Sequence, residues 1–316
     1  MIKLRKAFIV GIKGKKLNNN EVKFLKKYKP WGVILFSRNI YTQKQTKLLT
    51  KSIRKIFNDM NYPILIDEEG GKVTRLNRLI DTSMFSAKYF GQLYIKNKDK
   101  FFLYYNVYIK QISYLLNTLG INLNTVPVLD IFRKNSHKII GDRSFSSNKN
   151  IVSKVGDFCI NHFHKNKIGT IIKHIPGHGL AKVDSHIKLP IVNDKFKALL
   201  NKDFKVFQNK KSLFSMTSHV VYKNIDRFHP ATHSSKILNL VRSKIGFKQI
   251  ILSDDISMKA LKYSISENTR LAFNAGCNLV MHCNGNMSEM LKVAKNSPKI
   301  NNFILKKTYQ FYNIIS

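Results

Sequence analysis

Short apolar runs that break abruptly into polar residues recur along the whole chain. Residues 7–11 read Ala-Phe-Ile-Val-Gly, residues 31–36 precede Ser37-Arg38-Asn39, and residues 63–66 precede Asp67-Glu68-Glu69-Gly70-Gly71. Residues 121–129, with Asn122, Asn124 and Thr125 among apolar neighbours, also read as a strand, ending at Asp130, and residues 168–172 run into Lys173 and His174. The same switch recurs after 212–216 at Thr217-Ser218-His219, after 249–252 at Ser253-Asp254-Asp255, and after 278–281 at His282-Cys283-Asn284. Continuous apolar runs of this length predict strands buried on both faces, because a strand with one wet face would alternate. Helical patterns lie between them, over residues 20–28, opened by asparagines suited to capping, and over 43–60, 99–119, 150–166, 256–263 and 301–315. Gly120 is placed to stop the third of these.

About eight such strands alternating with helices predict an α/β protein, a single (β/α)8 TIM-type barrel. No linker, composition shift or internal repeat divides the chain, so residues 1–316 are read as a single catalytic barrel domain. The main rival is a doubly wound open sheet. No Gly-x-Gly-x-x-Gly follows the first strand and no Walker motif occurs, so nucleotide-binding folds lack support.

Composition changes this picture little. Hydrophobic residues make up 43% of the 316, enough for a sizeable core. Lys and Arg number 55 against 18 acidic residues, a net charge of +37. Nucleic acid is the first partner such a charge suggests. The lysines are spread evenly, however, with no arginine-rich arm and no basic–aromatic repeat, and asparagine and isoleucine are abundant with them, as an AT-rich genome would produce. The expectation is no nucleic-acid partner. Cys159, Cys277 and Cys283 are an odd, sparse set without metal-ligand spacing, which suits a reducing compartment. The N-terminal apolar run falls short of a signal-peptide core and no run approaches ~18 apolar residues, so a cytoplasmic protein with no membrane association is expected.

The polar clusters share one address, the C-terminal ends of strands, which in a barrel is the catalytic face. The densest is Lys173-His174-Ile175-Pro176-Gly177-His178-Gly179 with Asp184-Ser185-His186. Asp67, Arg143, His219, Asp254 and Asp255 join it. Carboxylates, histidines and cationic donors around one cavity suit a reaction needing a nucleophile, a proton shuttle and a clamp for a polar substrate. Two chemistries fit the residues alone. One is glycoside hydrolysis with a carboxylate nucleophile. The other is metal-assisted hydrolysis through His174, His178, His186, His219 and an aspartate. Pro176 and Gly177 break any helical i,i+4 pairing of His174 with His178, and no His-x-His marks the first strand, so neither metal nor cofactor is expected.

Asp67-Glu68-Glu69-Gly70-Gly71-Lys72-Val73-x-Arg75 resembles the Asp-x-Glu-Gly-Gly-(Arg/Lys)-Val-x-Arg signature of glycoside hydrolase family 3. The segments 140–146, 173–179, 184–186, 216–219, 253–258 and 275–277 resemble, in family order, its cytoplasmic β-N-acetylglucosaminidase branch. The resemblance implies a monomeric retaining exo-β-N-acetylglucosaminidase that releases non-reducing terminal N-acetylglucosamine from peptidoglycan fragments. It implies Asp254 as the nucleophile that forms a glycosyl-aspartate, His186 as general acid/base, and Asp184 as its dyad partner. Asp67, Arg143, Lys173 and His174 match residues that hold the sugar hydroxyls, and Arg75 is either a sugar contact or an ion pair under the site. Glu68, Glu69, His178 and His219 are expected to support the site. For Asp254 the structural alternative is an N-cap on residues 256–263, which Asp255 could equally fill. Three positions depart from the family pattern: Glu68 where glutamine is common, Asn278 where aspartate is usual, and Leu180-Ala181-Lys182-Val183 in the loop before the dyad. A β-glucosidase or glycosyl phosphorylase on the same scaffold is the alternative activity, and a basic, non-catalytic polyanion-binding barrel is the alternative class.

Overall fold

Alternate residues at the start of the chain belong to two different cores, and this alternation organises the molecule. The computed structural model describes residues 2–134, 140–185 and 188–316. Along the chain come β1 (Lys6–Gly11), α1 (Asn19–Tyr28), β2 (Pro30–Leu35), α2 (Gln43–Phe57), β3 (Ile64–Ile66), α3 (Ala87–Lys96), α4 (Lys98–Leu119), β4 (Leu123–Asn124), α5 (Lys149–Lys165) and β5 (Gly169–Ile175). They are followed by β6 (Ile191–Val192), α6 (Phe196–Asn201), β7 (Phe214–Thr217), β8 (Val221–Tyr222), α7 (Ser235–Leu240), β9 (Ile250–Asp255), α8 (Ile265–Ala275), β10 (Leu279–His282), α9 (Met287–Asn296) and α10 (Asn302–Ile315). Strands β1, β2, β3, β4, β5, β7, β9 and β10 form a closed parallel barrel, with β10 pairing back onto β1 through Phe8 opposite Val280 and Val10 opposite His282. The predicted (β/α)8 barrel is therefore the fold; β6 and β8 pair separately as a two-stranded sheet.

Ala7, Ile9, Leu65, Leu123, Ile171, Phe214, Met216, Ile250, Leu252, Leu279 and Met281 fill the barrel interior. Their neighbours in sequence, such as Phe8, Val10, Ile64, Ile172, Ile251 and Val280, point outward into the shell of helices. This is the period-two alternation of a strand with both faces covered. Helix α10 plugs the lower end: Ile304, Phe311 and Tyr312 join the interior cluster, and the buried Trp31 indole donates to Thr308 Oγ1 at 2.9 Å. Gly169 permits this approach, since a Cβ there would lie 2.6 Å from the Phe311 ring.

The helix ends follow local chemistry. Asn18 caps α1 in a reciprocal box, its Oδ1 accepting from Glu21 N and its own N–H donating to Glu21 Oε2, both at 2.9 Å. Helix α2 stops at Asn58, in the left-handed conformation at φ 44°, three residues short of the sequence expectation. Gly120, at φ 74°, ends α4 as expected.

Two other expectations are corrected. The run 121–129 is strand only at Leu123–Asn124. Pro127 has no N–H to give the ladder, which resumes as a single Val128–Lys173 bridge. Residues 256–263 form turns, and the next helix starts at Ile265 under a Ser264 cap, so neither Asp254 nor Asp255 is a helix N-cap. Helices α3, α6, α7, α8 and α9 were not singled out by the sequence pattern. Among the described residues no helix is long and apolar enough to cross a membrane.

Candidate active site

The interior alternation does not stop where the apolar residues stop. Leu65 leads by two to Asp67, Ile171 to Lys173, and Leu252 to Asp254. The top interior layer is thus charged where the layers below are aliphatic, and it forms the floor of a cavity of about 360 Å3. That is near the lower bound of ~300–1,000 Å3 for small-molecule sites. Asp67, Arg75, Arg143, Lys173, His174 and Asp254 all line it, so six of the eight sequence-predicted site residues meet in one place.

Lys173 is the hub. Its ammonium, 3% exposed, lies 3.1 Å from Asp67 Oδ1, 2.5 Å from Glu69 Oε1 and 2.7 Å from Thr125 Oγ1. Arg143 binds Glu69 in a two-pronged pair, Nε to Oε2 at 2.8 Å and Nη2 to Oε1 at 2.9 Å. Arg75 Nη2 lies 3.3 Å from Asp67 Oδ2 while its side chain remains 27% exposed at the cavity, so it is both an ion-pair partner and available to a ligand. Burial opposes ionisation of Asp67, but the Lys173 and Arg75 cations and the Thr125 hydroxyl outweigh it and hold the carboxyl well below the usual range. Burial likewise opposes ionisation of Glu69, yet Arg143 and Lys173 bring its pKa down to about 2. The array is therefore fixed, with both carboxylates ionised at neutral pH and already desolvated before a ligand arrives.

Asp254 stands on the opposite wall, at the end of β9. Burial disfavours its charge, but His219, His174, the Asp255 N–H at 2.8 Å and Lys173 together hold its pKa below the ordinary value. Its Oδ1 takes this backbone donor. Asp255, by contrast, is consumed locally, accepting from Ser257 N at 3.0 Å, Ser257 Oγ at 2.8 Å and Cys283 N at 3.1 Å. His219 donates from Nε2 to the Asp255 carbonyl at 3.0 Å and meets Thr232 Oγ1 through Nδ1 at 2.7 Å. Burial lowers its pKa, and its two ring contacts brace this wall.

Asp184 is half-buried on the loop after β5, and its carbonyl accepts from Lys188 N at 2.9 Å. It is not among the residues lining the cavity, although its neighbour Ser185 is. Ser185 is held on two sides, by His178 Nε2 at 3.2 Å from its Oγ and by Ala260 N at 3.2 Å from its carbonyl. His186 lies outside the described residues.

Three groups at the site were not among the predicted ligand contacts. Glu69 lines the cavity, between Arg143 and Lys173. Thr125, at the irregular end of β4, bonds both Lys173 and Asp67. Asp130 lies behind the cavity and is 1% exposed; it takes His174 Nδ1 at 2.6 Å and His178 N at 2.6 Å. A polar residue at the end of an apolar run was the only signal for it. Glu68 supports the signature loop, its carboxylate accepting from Thr74 Oγ1, Arg75 N, Leu76 N and Thr82 Oγ1 at 2.7–3.1 Å. Asn278 Oδ1 accepts from Arg242 Nη2 at 2.8 Å and Ile251 N at 2.9 Å, bracing β9 from behind. Among the described residues no three His, Cys, Asp or Glu are grouped to hold a metal ion.

An ionised carboxylate across a cavity from a fixed array of charged donors and acceptors is compatible with the class of glycoside hydrolases, whose chemistry pairs such a group with a separate acid/base. Comparison with known proteins narrows the class: residues 2–307 match the N-terminal domain of glycosyl hydrolase family 3, and the chain belongs to that family. It is 34% identical over 291 residues to a beta-hexosaminidase of Haemophilus ducreyi, covering 87% of this chain and 80% of that protein. It is 31% identical over 307 residues to the beta-hexosaminidase of Haemophilus influenzae, covering 92% and 85%. The crystal structure of NagZ from Neisseria gonorrhoeae in complex with N-trifluoroacetyl-D-glucosamine superposes with a TM-score of 0.85 at 28% identity, over 97% of this chain and 89% of that one.

Proposed function

We propose that the chain is a retaining exo-β-N-acetylglucosaminidase acting on peptidoglycan fragments with a non-reducing N-acetylglucosamine, such as its disaccharide with 1,6-anhydro-N-acetylmuramic acid. Asp254 attacks the anomeric carbon and forms a covalent glycosyl-aspartate. His186 protonates the departing oxygen and then takes the proton of the incoming water, with Asp184 holding its ring and stabilising the imidazolium, as the carboxylate does in a Ser-His-Asp triad. Asp67, Arg75, Arg143, Lys173 and His174 bind the sugar hydroxyls by charge-assisted hydrogen bonds. Residues 1–316 act as one catalytic barrel, monomeric and cytoplasmic.

The observation that carries this reading is the separation of roles at the strand ends. Asp254 is ionised and, among the described residues, forms no ion pair, whereas Asp67 and Glu69 are tied up in ion pairs with Lys173, Arg75 and Arg143. Of the cavity carboxylates described, Asp254 is best placed to spend its charge on carbon. The choice of amino sugar is supported by the beta-hexosaminidase relatives and by the glucosamine derivative bound to the gonococcal protein. The test is hydrolysis of an aryl β-N-acetylglucosaminide beside the matching β-glucoside by purified protein. The reading expects the amino sugar to be preferred by at least about a hundredfold in kcat/KM, the discrimination that a hydrogen-bonded substituent can supply. Equal rates would return the β-glucosidase alternative, and dependence on phosphate the phosphorylase.

A further inference from the structure

The two oxygens of Asp130 are spent on two different parts of the site. Oδ2 lies 2.6 Å from His174 Nδ1, and Oδ1 accepts from His178 N at 2.6 Å, with His174 N at 3.4 Å. We propose that Asp130 is a positioning residue that sets the hydrogen-bond polarity of His174, so that the substrate meets an acceptor at Nε2. The inference rests on the amino-sugar reading and deepens it, by naming what one sugar-facing group offers.

The argument is one of donor and acceptor counting. An ionised carboxylate only accepts, so at 2.6 Å the proton between it and the ring belongs to His174 Nδ1. In the neutral ring Nε2 is then left with a lone pair. On the cavity side Nε2 has Arg143 Nη2 at 3.5 Å, and a guanidinium only donates, which agrees with the same tautomer. Around the cavity Lys173 and Arg143 are pure donors, and Asp67 and Glu69 are acceptors already engaged by cations. A hydroxyl that accepts from Arg143 can donate its proton to His174 Nε2. Without that acceptor the hydroxyl proton would face cations.

Asparagine at position 130 cannot keep this arrangement, although it has the same shape. Two N–H groups converge on the carboxylate, one from the His174 ring and one from the His178 backbone. The amide has one acceptor oxygen, so its NH2 must oppose one of them. The backbone N–H cannot change its proton, whereas the ring can. The ring therefore shifts its proton to Nε2, and two donors, Nε2–H and Arg143, then face each other across the hydroxyl site.

The test combines a ring-nitrogen measurement with kinetics. Long-range 1H–15N spectra of the 15N-labelled wild type, with His174 assigned by comparison with His174→Gln, should show Nδ1 protonated and Nε2 unprotonated at neutral pH. Asp130→Asn should reverse this pattern and lower kcat/KM on an aryl N-acetylglucosaminide by about a hundredfold, the scale of a misplaced binding group. A proton on Nε2 in the wild type overturns the proposal. So does a folded Asp130→Asn whose His174 pattern is unchanged, even with a lower Tm, since that is a purely structural role. If Asp130→Asn does not fold, the wild-type spectrum decides alone. A wild type that hydrolyses no N-acetylglucosaminide would sink the amino-sugar reading and leave the ring-proton question to the spectrum.

Discussion

Replacing Lys173 by methionine removes the charge at the hub of the site while keeping an unbranched side chain of similar length. Asp67 would retain Arg75, and Glu69 would retain Arg143, but both carboxylates would stay buried with one cation fewer. Glu69 ionises at about 2 in the folded protein. Against the ~4.3 of an unfolded chain, that is worth about 3 kcal/mol of folding stability at neutral pH. Arg143 supplies the larger share of that lowering and Lys173 the next, and Lys173 is the foremost cation acting on Asp67. Breaking a buried pair usually costs ~3–5 kcal/mol, and the surviving arginines put this case at the lower end, about 3 kcal/mol. For a chain of 316 residues the expected drop in Tm is roughly 4–5 °C at pH 7. The sign of the pH dependence follows from the depressed pKa. Stability from Glu69 is fully present above its unfolded value near ~4.3 and is lost as pH falls towards about 2, and Asp67 behaves the same way. The gap between wild type and variant should therefore be widest at pH 7, narrow below about pH 4, and be smallest near pH 3. Thermal melts followed by circular dichroism at pH 7, 5 and 3 measure it. A gap of equal size at all three would refute the electrostatic account and assign the loss to packing.

Other outcomes follow from the same structure. Asp254→Asn should abolish turnover while leaving the Tm within a few degrees, because the amide is nearly isosteric but a poor nucleophile; a tenth or more of wild-type kcat would move the nucleophile elsewhere. Trp31→Ala should destabilise by about 3–5 kcal/mol, read from denaturant melts, since a fully buried indole and its bond to Thr308 are both lost under the α10 plug. Gly91→Ala should cost about 1–3 kcal/mol by the same measurement, because a Cβ there would collide with the Phe145 carbonyl. Turnover of a neutral N-acetylglucosaminide should change less than about twofold between low and moderate salt, since the ion pairs of the site are buried and little screened, whatever the net charge of +37.

The barrel was legible in the sequence because strands covered on both faces are largely apolar, and most such runs ended at a charged or hydroxyl-bearing residue. Residues 7–11, 31–36 and 63–66 needed only their composition to be read as strands. What the pattern obscured was position within the strand. Lys173 and Asp254 look like the first loop residues after an apolar run, yet they lie inside β5 and β9 and continue the inward alternation of Ile171 and Leu252. Asp67, just past β3, keeps the same parity. The strand at 121–129 was overestimated because Pro127 reads as merely apolar although it cannot serve the ladder. Residues 256–263 read as a helix because spacing alone cannot show that Asp255 ties its own backbone into a turn through Ser257. Asp130 was missed as a site residue because its value lies in geometry: one carboxylate between His174 and His178 has no local signature.

The central claim, a covalent intermediate on Asp254 that a histidine base must release, is tested most directly with His186→Ala and an aryl N-acetylglucosaminide. An activated leaving group needs little protonation, so the first half-reaction should proceed, whereas the second lacks its base. Intact-protein mass during turnover should show one added N-acetylglucosamine residue, peptide mapping should place it on Asp254, and azide should discharge it and restore turnover. A folded variant that still binds product but shows no adduct and no azide rescue, or an adduct on any other residue, would contradict the account.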